Sequence, residues 1–368
     1  MHKSVIVVAT AVCIVSYSSC TCPNTFNNAL LELHYGIVYK GHNTTFNGCV
    51  RGNSDITRIV LRTPTMNIFK GTFSNLTVLD YLALDNANLH VIEAQFAENL
   101  PKLRTFSASM NQIREIGYNV LNNLPLKNIY LSINTISEIA NGAFSGMDLV
   151  YLHLNNNELH SINSNWFLNT TIKGLYLSSN HIELLWTETF SGIIGMETLD
   201  LGRNKIHYID CDTFSTQRSL ESLFMKGNSL LNLDFDIGSN LQVLDVSFNM
   251  IFSTSLERMT NVEAIIILPN PWVCKCLEKL VNESKLLNIK IMQRVAERTQ
   301  ERLNAPICVV ADTTCGNNVA PVNTVHREYF RRVHYAKIIR YWVQWRSYPH
   351  DFENRNITFK RNWIQCFK

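Results

Sequence analysis

Ten cysteines punctuate this 368-residue chain, and disulfide formation is the first chemistry their spacing supports. Cys13 and Cys20 fall in the first twenty residues. The others are Cys22, Cys49, Cys211, Cys274, Cys276, Cys308, Cys315 and Cys366, most of them near the two ends. In an oxidising compartment such clusters read as disulfide-closed caps. Cys22 and Cys49 would close one before the body of the chain. Cys274 and Cys276 would close another after it, with Cys308 and Cys315 as partners. Cys211 and Cys366 are left over. Three readings stand: they pair with each other, Cys211 is a buried free thiol, or Cys366 bridges to a second chain in a disulfide-linked oligomer. Five N-glycosylation sequons, at Asn43, Asn75, Asn169, Asn282 and Asn356, point to the same compartment.

Other reactive patterns are missing from the sequence. It has no H-E-x-x-H, no G-x-S-x-G, no phosphate-cradling glycine loop and no cysteine–histidine zinc spacing. His153, His160, His181 and His207 are scattered. No catalytic residue, metal site or cofactor is expected.

The N-terminus matches those cysteines. Lys3 precedes an apolar run from Val5 to Val15, and the small residues Ser16, Ser18 and Ser19 follow, in the layout of a cleaved signal peptide. The run is shorter than the ~20 residues that span a bilayer. No later segment reaches that length without charges, so a secreted, extracellular protein with no membrane span is expected. The formal net charge of +3 is too small to imply nucleic acid. Residues 320–368 hold ten of the Lys and Arg against three Asp and Glu, so a mildly acidic body carries a basic tail. Val325, Tyr329, Val333 and Ala336 share one helical face in that tail. It reads as a helix that lies on a membrane surface, or as one that packs on the acidic body or a partner.

What must position any surface site is a repeat. The pattern L-x-x-L-x-L-x-x-N-x-L recurs from starts at Ile56, Leu79, Leu103, Leu126, Leu149, Ile172, Met196, Leu220, Leu241 and Val262, spaced by 21 to 24 residues. Positions four and six alternate inward on a short strand. One repeat cannot bury its apolar face alone, so neighbours stack into a continuous core, an α/β-type repeat solenoid. The Asn at position nine forms a ladder along the stack. Pro64 and Ala87 interrupt it in the first two repeats. Phe73, Phe96, Phe144, Phe167, Phe190 and Phe214 make a second buried column, with Leu121 replacing Phe in the third repeat and no Phe in the last ones. Asn270-Pro271-Trp272-Val273-Cys274-Lys275-Cys276 opens the second cap, and Leu277, Leu280, Val281, Leu286 and Leu287 follow at helical spacing.

At this point the chain resembles the typical subfamily of extracellular leucine-rich-repeat proteins over residues 22–315. The N-P-W-x-C-x-C opening is the specific part. The resemblance implies a horseshoe with a concave parallel sheet, cysteine-rich N- and C-terminal caps and, here, a helical C-terminal tail. The order of segments is also similar to the secreted leucine-rich immune proteins of mosquitoes, although no heptad is sustained after Cys315. No receptor signalling domain follows, which excludes a full Toll-type receptor. The expected layout is a signal peptide (1–20), an N-terminal cysteine cap (21–55), about ten repeats (56–269), a C-terminal cysteine cap (270–316) and a basic aromatic tail (317–368).

Function is then expected on the concave face, where positions 3, 5, 7 and 8 project. Tyr130, Tyr151, His153 and Tyr176 fall on three consecutive strands, ~4.8 Å apart. Tyrosine is a favoured interface anchor, offering rigid area plus a hydroxyl. An acidic stripe of Glu197, Asp200, Glu221 and Asp245 comes next along the repeats, and Tyr81 and Phe224 complete the candidate ligand-binding set. Aromatics also suit pleated strands without any partner. The expectation is a binding protein rather than an enzyme. It would recognise a protein partner, another leucine-rich-repeat chain or an immune effector, in innate immune recognition or complex scaffolding. The alternatives are a matrix or adhesion component and a soluble ligand or decoy for a cell-surface receptor.

Overall fold

A computed structural model of the chain describes residues 25–35, 42–52, 55–257, 259, 261–292, 308 and 315. The expected signal peptide, basic tail, Cys22, Cys366 and Asn356 lie outside them. The described residues fall into two compact units. The first takes residues up to Leu159, Asn163–Tyr176 and Gly192–Ile194, and the second takes His160–Ile162, Leu177–Ser191 and those from Gly195 onward.

Each unit is a stack of β-solenoid coils. In the first, β1 (Phe26–Tyr35) pairs antiparallel with β2 (His42–Gly48) and with β3 (Ile56–Leu61). Parallel pairing then runs through β4 (Tyr81–Ala83), β5 (Thr105–Ser107), β6 (Asn128–Tyr130), β7 (Asp148–His153) and β8 (Thr170–Tyr176). In the second unit, β9 (Thr198–Asp200), β10 (Ser222–Phe224), β11 (Val243–Asp245) and β12 (Ala264–Ile266) continue the same parallel register. A 13-residue helix, α1 (Cys274–Leu286), and the short β13 (Lys290–Ile291) follow.

The repeat pattern explains each coil. Leu149, Leu152 and Leu154 of one repeat are at most 1% exposed, and so are Ile172, Leu175 and Leu177 of the next. Asn157 bonds across two coils: its Nδ2 donates to Leu131 O at 3.0 Å and Leu154 O at 2.9 Å, and its Oδ1 accepts from Ile136 N at 3.0 Å. Asn111, Asn134, Asn204, Asn228, Asn249 and Asn270 make the same kind of bridge, each within its own unit. In the first repeats, where Pro64 and Ala87 stand, backbone contact between Thr65 N and Ala87 O takes its place.

The phenylalanine column is fully buried, and Phe144–Phe167 and Phe190–Phe214 stack at 5.7 and 5.8 Å. One expectation is corrected here: the column does not stop at Phe214. Phe235, 8% exposed, packs on it at 5.7 Å from a repeat shortened by three residues, which shifts the Phe out of register.

The C-terminal cap closes on two disulfides, Cys274–Cys308 and Cys276–Cys315. Trp272 is fully buried, and its indole donates to Ile267 O at 3.1 Å. Helix α1 buries Cys276, Leu277 and Leu280, but Leu286, expected on that face, is 86% exposed at the helix end. Cys49 and Cys211 are also disulfide-bonded, so the free-thiol reading of Cys211 is withdrawn.

Candidate functional site

Parallel register puts every fifth position of a repeat beside its equivalent one strand away. Tyr130, His153 and Tyr176 are therefore neighbours across β6, β7 and β8, as are Asn128, Tyr151 and Gly174. The rings use this proximity fully. Tyr130 and His153 stack at 4.8 Å and 19°, and His153 and Tyr176 at 4.3 Å and 2°. Tyr151 leans in from the next row, 6.2 Å from His153 and 6.3 Å from Tyr176. Tilted and stacked arrangements at these separations are favourable for aromatic pairs.

Gly174 makes the convergence possible. A Cβ there would sit 2.9 Å from Tyr151 Cδ1 and 3.0 Å from Tyr176 Cε2, closer than such contacts occur. The glycine is a flat floor on which two tyrosine rings close. Tyr151 remains 41% exposed, while Tyr130, His153 and Tyr176 are half-buried. Burial holds the His153 imidazole below its ordinary value of 6.5, and its hydrogen bond with Asn155 pulls the other way. Asn155 is itself fixed by Ser132 Oγ at 2.7 Å. Lys127 and Asp148 form an exposed ion pair beside the cluster.

Two further residues belong to this surface, at position 8, where each coil turns in the left-handed region. Asn86, Asn156 and Ser179 occupy it in other repeats, and Asn tolerates that conformation. Met110 and Ile133 occupy it in adjacent coils at φ +59° and +57°. They are 55% and 48% exposed, and the backbone of the two coils is bonded there by Met110 N to Ser132 O at 2.9 Å. A β-branched side chain at positive φ is strained by about 1–3 kcal/mol. The signal was legible: an apolar residue directly before a ladder Asn.

The remaining candidates are not gathered with this cluster. Tyr81 lies on β4, with β5 and β6 between it and β7, and Arg58 covers its ring at 4.2 Å. In the second unit the acidic stripe divides. Glu221 is exposed and Glu197 half-buried. Asp200 Oδ1 accepts from Gly202 N at 2.9 Å. Asp245 is corrected as a surface residue: it is 2% exposed, and its Oδ1 accepts from Ser247 N at 3.0 Å and Ser247 Oγ at 2.6 Å. An Asp two residues before a free N–H bonds its own turn, a local preference that removes it from solvent. Phe224 is half-buried on β10. Among the sequons, Asn75, Asn169 and Asn282 have exposed side chains, and Asn75 and Asn169 are off the main-sheet strands. Among the described residues no three His, Cys, Asp or Glu are grouped to hold a metal, and no helix is long and apolar enough to cross a membrane.

Comparisons with known proteins fit this architecture. A leucine rich repeat family model matches residues 124–182 and 170–230, and a BspA type leucine rich repeat region model of six copies matches 25–125. No curated protein matches the sequence. Among solved structures, a chain of the Toll–Spatzle complex from Drosophila, in its glycosylated form, is 19% identical with a TM-score of 0.51, over 72% of this chain and 41% of that one. A chain of the mouse RP105/MD-1 complex is 18% identical with a TM-score of 0.52, over 62% and 40%. The leucine-rich repeat domain of APL1 is 20% identical with a TM-score of 0.45, over 59% and 62%. The first two likenesses show the fold alone. This chain spans between 29% and 62% of the solved chains it matches.

Proposed function

We propose, from the premise that the chain belongs to the leucine-rich-repeat family, that it is a secreted binding protein. It recognises a protein partner through the main-sheet face of its first unit, in innate immune recognition or in scaffolding an immune complex. The observation that carries this reading is the cluster of Tyr130, Tyr151, His153 and Tyr176, stacked at 4.3 to 4.8 Å on a glycine floor and left partly open to solvent. Rigid aromatic area with hydroxyl edges is what protein interfaces concentrate at their centres. The fold does not require it, since Ser107 and Ala83 serve the same position in earlier coils.

Met110 and Ile133 extend the surface. Local conformation disfavours both, and an Asn at either place would relieve it. Residues kept against their own backbone preference point to a use outside the fold. The Toll and RP105 chains were solved in complexes with Spatzle and MD-1, so a protein occupant is within the reach of this fold. The cap disulfides fit an oxidising, extracellular compartment. We assign the expected domain layout on the same basis.

The test is affinity capture from native extracellular fluid under non-reducing conditions, with the parent protein and a Tyr151→Ala/Tyr176→Ala variant side by side. A stoichiometric protein that the parent retains and the variant loses supports the reading. Equal retention by both moves the site elsewhere. Retention by extracellular matrix alone favours an adhesion role instead.

A further inference from the structure

The second unit carries another exposed aromatic group, away from its main sheet. Leu184–Leu185 pairs in parallel with Tyr208–Ile209 in a two-stranded ladder. The register continues for one residue, so Trp186 and Asp210 are lateral neighbours. Trp186 is 52% exposed, an unusual place for the largest apolar side chain. Its ring centroid lies 5.3 Å from that of Tyr208, tilted by 52°. Trp186 N donates to Thr189 Oγ1 at 2.8 Å, which fixes the turn carrying the indole.

The carboxylate beside this pair is also held in place. Thr187 Oγ1 donates to Asp210 Oδ2 at 2.8 Å, and Cys211 N donates to Oδ1 at 2.9 Å. Each oxygen keeps a lone pair for another donor. Asp210 is close enough to Tyr208 that its charge, together with burial, raises the phenol above its ordinary value. Glu183 and Glu188 are exposed on the same segment as Trp186. Among the described residues none of these three carboxylates forms an ion pair. Of the nearby cations, Lys205 is exposed, and His207 turns its Nδ1 toward Lys205 O at 3.3 Å.

We propose that Trp186, Tyr208 and Asp210 form a second binding site, which takes an arginine side chain from a basic segment of a protein partner. Two tilted ring faces attract a cation through their quadrupoles, and the indole does so best. A guanidinium stacks on an aromatic face and offers paired donors to a carboxylate in the same plane. The polar groups around the rings are nearly all acceptors, and they carry negative charge. That composition selects a cationic donor over an anion, and over a sugar, whose hydroxyls need donors as well as acceptors. The site lies in a different unit from the tyrosine cluster, and its test does not depend on that surface.

The experiment uses the full-length protein and a tetra-arginine peptide, with a tetra-citrulline peptide as the uncharged control of the same shape. Binding is followed by tryptophan fluorescence and by calorimetry. The arginine peptide is expected to bind at least tenfold more tightly than the citrulline peptide. Trp186→Leu is expected to lose at least tenfold in affinity and Asp210→Asn about threefold, while Trp186→Phe retains most of it. Thermal melting checks that each variant is folded, which is expected because the indole is half exposed. Binding unchanged in Trp186→Leu overturns the proposal, and so does equal binding of the citrulline peptide. Quenching by a neutral oligosaccharide where the arginine peptide gives none also overturns it.

Discussion

The same strand positions have opposite fates in the two units. In the first, position five of three adjacent coils holds Tyr130, His153 and Tyr176, whose rings stack on one another and keep their edges in solvent. In the second, the equivalent positions include Asp200 and Asp245, whose carboxylates fold back onto Gly202 and Ser247 two residues on. A short acid can satisfy its own turn and so leaves the surface. A tyrosine cannot, and stays available. Exposure along a repeat is therefore decided by whether a side chain finds a partner within its own coil.

That comparison can be broken from the interior first, where the units should not differ. Asn157→Ala in the first unit and Asn249→Ala in the second each strand buried backbone groups, and both are expected to cost about 2–3 kcal/mol in denaturant melts. A large cost in one and none in the other would mean that the stacks are held together differently.

The faces should separate in a crossed pair of variants. Asp245→Ala is expected to lose about 1–2 kcal/mol of stability with partner affinity unchanged. Tyr176→Ala is expected to weaken partner binding about tenfold, or ~1.4 kcal/mol, with little change in melting. Titration against the captured partner and thermal denaturation read the two effects. If both variants move both quantities, the division into structural and recognition positions fails.

Ile133→Asn sharpens the contrast within the first unit. Relief of the strained backbone is expected to stabilise the protein by about 1 kcal/mol while binding weakens. A stability loss would show that Ile133 serves the fold.

The smallest effect concerns pH. His153 titrates below 6.5 in the folded chain, so the unfolded chain takes up its proton first. Stability is then complete above pH 6.5 and declines as pH falls through the folded value. His153→Gln is expected to flatten that decline, and the imidazole NMR midpoint is expected below 6.5. A midpoint at or above it would remove the argument.

Much of this was legible in the sequence because the repeat is a strong periodic signal. The inward leucines, the Asn ladder and the row of Tyr130, His153 and Tyr176 follow from counting positions. Counting failed where local chemistry competes with the period. Asp245 reads as surface by position, yet Ser247 two residues on takes its carboxylate inward. Phe235 was missed because a short repeat displaced it. Met110 and Ile133 were passed over because only backbone conformation shows that they are out of place. The Trp186–Tyr208 pair depends on the lateral register of a second, two-residue ladder, which no repeat template encodes.

The central claim is that the first unit's face, and not the second's, meets the partner. Tyr151 and Ser222 occupy the same repeat position in the two units. The direct measurement places a photo-crosslinking residue at one or the other and irradiates the intact protein in its native extracellular fluid. A discrete crosslinked species from position 151, with none from position 222, is the expected result. A species from 222 alone, or equal yields from both, would contradict the account.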